Sequence, residues 1–154
     1  MKFTKYDKYG AYHWKQYDEG GKYKRHADRI KDWVKEKYVL DIGAGDGKIT
    51  SMIGAVGIDD EPTAVKLARE RGVPVNLGDA YSMDFVDGQF DSVLMADVLE
   101  HFERPLDALM EARRVMRDYL YITTPPKDIT PGKLLDKFHY QEWSPEELKN
   151  LVES

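Results

Sequence analysis

The sequence predicts an α/β fold in which a mainly parallel sheet of about five strands carries helices on both faces and sits behind an N-terminal helical cap. Three observations predict it. From Tyr38 onward, short apolar runs alternate with amphipathic stretches, the pattern of a parallel sheet covered on both sides. The run Val39-Leu40-Asp41-Ile42 leads into a glycine-rich turn, Gly43-Ala44-Gly45-Asp46-Gly47, where missing Cβ atoms permit a sharp bend and close approach of a ligand to the main chain. A second apolar run ends in Gly57-Ile58-Asp59-Asp60, whose carboxylates at a strand tip can accept both hydroxyls of a ribose.

The 154 residues suffice for one domain with its own core, so 1–154 is read as a single domain with a cap or lid over 1–37 and a core over 38–154. In the cap, Tyr6, Tyr9, Tyr12, His13, Trp14 and Tyr17 crowd together without a clean period. After Gly20-Gly21, residues Tyr23, His26, Ala27, Ile30, Trp33 and Val34 fall at helical spacing and form an apolar stripe that must be buried. Strands are expected near 38–42, 55–59, 73–77, 91–96 and 119–123. Between Gly47 and Asp59 there is room for only about two helical turns. Asp60-Glu61-Pro62 opens a helix with a carboxylate at its cap, and Gly72 closes it. Pro105 starts another, with Leu106, Leu109 and Met110 expected on its inner side. Ser144-Pro145-Glu146-Glu147 reads as a capping box ahead of Leu148, Leu151 and Val152.

The glycine register is Gly-x-Gly-x-Gly, whereas the dinucleotide fingerprint needs a glycine at position 48, which is Lys48. A nucleoside without phosphates suits this turn better than a pyrophosphate, and a nicotinamide enzyme is the weakest option. In order along the chain, Val39 to Thr50, Val56 to Ala68, Asn76 to Ala80 and Phe90 to Val115 resemble class I S-adenosylmethionine-dependent methyltransferases of the small-molecule type. Tyr121-Ile122-Thr123-Thr124-Pro125 is a weaker fifth segment, and the resemblance covers roughly residues 38 to 150. It implies a Rossmann-like methyltransferase fold of strand order 3-2-1-4-5, S-adenosylmethionine as cofactor and S-adenosylhomocysteine as product. It also implies terminal antiparallel strands that are missing here, leaving an open edge beside the fifth strand where a second copy or a partner chain could pair.

By the same resemblance, Gly43, Ala44 and Gly45 border the methionine part of the cofactor, and Asp41 organises the loop or meets the amino group through water. Asp59 takes the ribose hydroxyls with Asp60 beside the adenine. Asp79 and Ala80, ending the third strand, meet the adenine, and Ala96 and Asp97, ending the fourth, flank the methionine and sulfonium end. Tyr12, Tyr17 and Tyr23 suit an aromatic closure over the sulfonium charge. Glu100 and His101, in Asp97-Val98-Leu99-Glu100-His101, are the candidates for acid-base work or acceptor contact, with His13 in the cap as a third. His26, on the stripe, is read as a packed histidine. A full set of metal ligands is not visible in the sequence, although His139 could join Glu100 and His101, and no metal is expected.

Composition narrows the function. The chain has no cysteine, which excludes a covalent thiolate route to carbon methylation and fits a reducing, cytoplasmic setting. Its start shows no signal-peptide pattern, and no apolar run approaches the length of a membrane span. Residues 1–37 hold eleven Lys/Arg against six Asp/Glu, whereas 38–154 hold twelve against twenty-two. A basic cap on an acidic body suits attraction of an anionic acceptor and argues against a broad nucleic-acid footprint. The leading expectation is methyl transfer to a small-molecule acceptor by in-line displacement. The alternatives are a cofactor-binding subunit or degenerate methyltransferase that needs a partner chain, and an RNA or protein methyltransferase.

Overall fold

The computed structural model describes residues 2–127 and 133–154. Three cap helices, α1 (Lys5–Tyr9), α2 (Tyr12–Glu19) and α3 (Lys22–Trp33), precede β1 (Val39–Ile42), α4 (Lys48–Ile53), β2 (Val56–Asp59), α5 (Pro62–Glu70) and β3 (Val75–Leu77). There follow β4 (Phe90–Ala96), a single 3-10 turn (Leu99–His101), α6 (Pro105–Val115), β5 (Met116–Thr123) and α7 (Pro145–Glu153). The strand order is β3-β2-β1-β4-β5 and each neighbouring pair is parallel, the topology expected from the sequence. The winding reverses between β1 and β4, so a crevice opens at the carboxyl ends of those two strands, where ligands bind in open parallel sheets.

The core forms on both sides of β1, which is buried at all four positions. Leu40 and Ile42 face Val93, Met95, Leu99, Ala108, Ala112, Val115 and Trp143. On the opposite side, Val39 and Leu94 meet Ile30 and Val34 from the cap and Ala55 from the loop ahead of β2. The cap stripe therefore covers one face of the sheet, with a correction at its end: Trp33, the last residue of α3, is 50% exposed. It lies at the edge of the stripe, where the helix stops before the ring can turn inward.

Three further expectations are adjusted. On α6 the buried stripe is Ala108, Leu109, Ala112 and Val115, while Leu106 and Met110 point outward at 48% and 71% exposure. Small alanines let the helix lie close to the sheet, and that places Leu106 and Met110 on its far side. β5 begins at Met116, ahead of the expected 119, because Arg117 and Asp118 lie on an exposed edge strand that carries no apolar signal. At α5 it is Asp59, not Asp60, whose side chain accepts from the Glu61 N–H at 2.9 Å.

At the C-terminal end the capping box forms as expected. Ser144 Oγ accepts from the Glu147 N–H at 3.2 Å, and Glu147 Oε2 accepts from the Ser144 N–H at 2.8 Å. Leu148 and Leu151 pack on the core, but Val152 is 40% exposed. Pro126 and Trp143 form an isolated parallel bridge, which ties the segment ahead of α7 to the end of β5. Among the described residues, no helix is long and apolar enough to cross a membrane.

Leu40 is fully buried in the centre of the sheet. Leu40→Ala should lower the free energy of unfolding by about 2–5 kcal/mol through the cavity it leaves. A shift of the urea midpoint with an unchanged slope is the expected record, and a shift of a few tenths of a kcal/mol would show that this layer is not the packed core.

Candidate functional site

The glycine turn after β1 bends over the tip of β2. Gly43 and Ala44 both donate their N–H to the Ile58 carbonyl, at 2.9 and 3.0 Å. Gly43 has φ of 74°, and a Cβ there would collide with the Val98 side chain, so only glycine brings the loop this close to the segment after β4. Gly45 donates to Asp59 Oδ2 at 2.8 Å while Glu61 N donates to Asp59 Oδ1 at 2.9 Å. The Asp59 carboxylate is thereby fixed in place, with its remaining lone pairs available. Burial lifts its carboxyl from 3.8 to about 6, against the pull of those two N–H groups. Asp41, buried beneath the loop, accepts from Thr50 Oγ1 at 2.7 Å, and burial lifts it to about 7.

These groups open on a cavity of about 890 Å³ between the cap and the carboxyl ends of the strands. Of the residues singled out from sequence, Asp41, Gly43, Ala44, Asp59, Asp60, Asp79, Ala80, Ala96, Asp97, Glu100, His101 and His13 all line it. Gly45 does not: the Tyr6 hydroxyl stands where its Cβ would be and covers it. Asp79 spends one oxygen on the Tyr81 N–H at 2.8 Å. Asp97 has φ of 50°, a conformation that aspartate tolerates better than most residues. Its N–H is held by the Thr123 carbonyl at 2.9 Å. His26 Nε2 lies 2.7 Å from Asp97 Oδ2 but outside hydrogen-bond alignment, so this histidine, expected only to pack, faces a carboxylate at the site's edge.

The cap supplies the roof. Tyr6 stacks on Tyr12 at 5.3 Å, Tyr12 meets His13 at 4.1 Å, and His13 stacks on Tyr23 at 5.0 Å, a continuous aromatic run lining the cavity. Burial holds all three phenols neutral by raising them above their ordinary value. Tyr17 is not part of it, since its hydroxyl turns to Asp28 at 2.7 Å and its ring to the Lys48 ammonium. Asp46 clasps the cap to the glycine turn: its Oδ2 accepts from His13 N at 3.0 Å, and its carbonyl accepts from Trp14 Nε1 at 2.8 Å.

Beyond β4, the Glu100 side chain is almost wholly buried, with Oε2 accepting from Thr124 Oγ1 at 3.1 Å. Burial pushes its carboxyl up to about 8 and moves the His101 imidazole below its ordinary value. His101 Nδ1 lies 3.0 Å from the Phe138 carbonyl, which makes Nδ1 the protonated nitrogen and leaves the Nε2 lone pair available.

Residues 40–121 match the methyltransferase-domain family. The chain belongs to that family. It is 31% identical over 114 residues to an uncharacterized protein of Methanocaldococcus jannaschii, covering 73% of this chain and 56% of that one. It is 33% identical over 93 residues to probable tRNA methyltransferase 9B of Mus musculus, covering 56% of this chain and 21% of the relative. The chain thus spans about half, or much less, of the length of these curated relatives. Its fold superposes on a SAM-dependent methyltransferase of Thermotoga maritima with a TM-score of 0.78, at 23% identity over 97% of this chain and 75% of the other.

Family membership implies S-adenosylmethionine, and the donor-acceptor balance of the cavity suits it. Among the described residues, Asp46 Oδ1 and Glu61 Oε2 are buried acceptors without a hydrogen-bond partner, and both residues line the cavity. An amino-acid ammonium and ribose hydroxyls are the donors such atoms lack. Sequence reasoning missed Asp46, Glu61 and Tyr6 as parts of the site. The only signal for Asp46 was its place inside the glycine turn, while the other two take part only through tertiary contacts.

Raised carboxyls stabilise the fold when protonated. The contribution of Asp59 and Asp41 to folding stability is complete below about pH 4 and declines as pH climbs through about 6 and 7. Cofactor affinity should move the opposite way, rising from about pH 5 to about 7 as Asp59 ionises and accepts the ribose hydroxyls. Calorimetric titration across that range checks this, and a flat profile would remove Asp59 from ribose binding.

Proposed function

We propose that this domain binds S-adenosylmethionine across the glycine turn and transfers its methyl group to a small-molecule acceptor held under the cap. The observation that carries the reading is Asp59, held by two main-chain N–H groups at the strand tip inside the large cavity. Asp59 would take the ribose, Asp60 and Asp79 the adenine side, and Asp46 with the Gly43–Ala44 backbone the amino-acid end. Bound there, the cofactor supplies the electrophilic methyl carbon.

The chain's own part is then to place an acceptor in line with that carbon, a positioning effect worth about 7–11 kcal/mol in favourable cases. Tyr12, His13 and Tyr23 present aromatic faces to the sulfonium end, excluding water and favouring positive charge. His13, Glu100 and His101 face the space left for the acceptor. With Nδ1 committed to the Phe138 carbonyl, His101 offers its Nε2 lone pair to an acceptor proton or to another electrophile.

A tRNA acceptor is the second reading, supported by the mouse relative's name and the +5 charge of the cap. A partner chain on the exposed edge strand β5 is compatible with either.

Asp59→Ala should abolish calorimetrically detectable binding of S-adenosylmethionine and S-adenosylhomocysteine while the chain stays folded. Unchanged affinity would sink the proposed site. Acceptor binding by the small-molecule route should change little with salt, whereas a tRNA acceptor should bind with a steep loss of affinity between 50 and 200 mM salt.

A further inference from the structure

The cap reaches the carboxyl end of β4 through a histidine. His26 follows Tyr23 by three residues on α3, so the two side chains are neighbours on one face of the helix. Ala27 and Ile30 are fully buried, and Ile30 packs with Val39 and Leu94, which anchors that face to the sheet. His26 Nε2 is buried, lies 2.7 Å from Asp97 Oδ2 and has no aligned hydrogen-bond partner. A nitrogen and a carboxylate oxygen come this close only with a proton between them, so His26 faces Asp97 with Nε2 protonated.

Two observations give the contact a role. Asp97 is, among the described residues, the one non-glycine with positive φ, a conformation that persists only where its surroundings fix it. Its N–H donates to the Thr123 carbonyl and to Thr123 Oγ1, at 2.9 and 3.1 Å, so β5 fixes the main chain. The carboxylate lines the cavity, and among the described residues only the His26 side chain comes within ion-pair distance of it. The second observation is the company it keeps. Burial first, then the nearby charges of Asp46, Asp41 and Asp97, hold the Tyr23 phenol neutral. Asp46 and Asp97 therefore both stand near Tyr23, both line the cavity, and Asp46 Oδ1 is buried without a hydrogen-bond partner. Two carboxylates beside one aromatic ring suit a primary ammonium, which carries three donors and a charge that favours the ring.

We infer that His26 is a positioning residue: from the cap it aims the Asp97 carboxylate, so that Asp97 together with Asp46 accepts from the amino-acid ammonium of the cofactor. The ligand in this inference rests on the methyl-transfer reading, whereas the His26–Asp97 pair does not. His26 is not among the residues that line the cavity and acts through Asp97. Its place on α3 completes the ammonium site only when the cap is docked, which ties retention of the cofactor to the roof that contains Tyr23.

The test uses the full chain and two probes, S-adenosylhomocysteine and methylthioadenosine, which keeps the adenine, ribose and sulfur but lacks the amino-acid end. In calorimetric titration His26→Leu should weaken S-adenosylhomocysteine about 10- to 100-fold, the range for a lost hydrogen bond to a charged group, and leave methylthioadenosine unchanged. His26→Gln, whose amide nitrogen reaches about as far as Nε2, should restore most of the affinity. Asp97→Asn should weaken S-adenosylhomocysteine alone, and adding His26→Leu to it should cost no more, because the two groups act in series. If His26→Leu fails to fold, His26→Asn combined with Asp97→Asn gives the same cycle. Equal loss of both probes, unchanged affinity for S-adenosylhomocysteine, or fully additive losses would each overturn the inference. The pair is read separately in the nitrogen–proton correlation spectrum of the imidazole, which should show Nε2 protonated and its signal displaced in Asp97→Asn. A wild-type chain that binds neither probe would remove the ammonium site while leaving that spectrum as expected, whereas a proton found on Nδ1 alone would overturn the pair itself.

Discussion

Asp59 accepts one hydrogen bond from the glycine turn and one from the start of α5, and the remainder of the site is arranged around that carboxylate. It joins two consecutive crossovers of the sheet through a single side chain. The bend at Gly43 lets the turn reach it, and the Ile58 carbonyl, accepting two N–H groups, holds the turn down. Asp41 and Thr50 brace the same turn from below. The cost is a carboxyl held in a poorly solvated place, which is why its protonation is displaced upward.

The cap is coupled to this unit by contacts that differ from those holding it to the sheet. Ile30 and Val34 bury apolar surface against Val39 and Leu94 and provide adhesion. Asp46 provides register, since its bonds to His13 and Trp14 set which aromatic rings stand over the glycine turn. Tyr6 completes the roof by occupying the space that Gly45 leaves open. The glycine turn and the turn after β4 therefore open on one cavity, roofed by a row of aromatic rings.

Beneath the N-terminal end of the cap, where the Phe3 ring meets His101 at 5.4 Å, the turn after β4 gathers buried acidic groups and imidazoles. Glu100 is brought there by the 3-10 turn, Thr124 by the end of β5, and His139 and Glu142 by the approach to α7. The Pro126–Trp143 bridge and the capping box at Ser144 hold that approach in place. Burial there raises the Glu100 carboxyl to about 8, so it is held largely uncharged at neutral pH.

Much of this was legible along the chain. The period-two and 3.6-residue patterns, the glycine turn and the carboxylates at strand tips are local signals, and local signals determined the number of strands, their parallel sense and the capping box at Ser144. The residues of the glycine turn and of Asp59, Asp79 and Asp97 are read the same way, because each sits at the end of a strand whose position is set by pattern. The sequence did not disclose that Leu106 and Met110 face outward, since the inner side of α6 is chosen by the closeness of two alanines to the sheet. Nor did it show that Tyr6 would cover Gly45, that Asp46 would clasp the cap, or that His139 would meet Glu100 and His101. Those pairs lie 32 to 39 residues apart and come together only when the chain crosses the sheet. The sequence alone thus determined the scaffold, through short-range periodicity and turn chemistry. Only the tertiary structure decided what stands over the cavity, because contacts between distant segments depend on packing that no local pattern encodes.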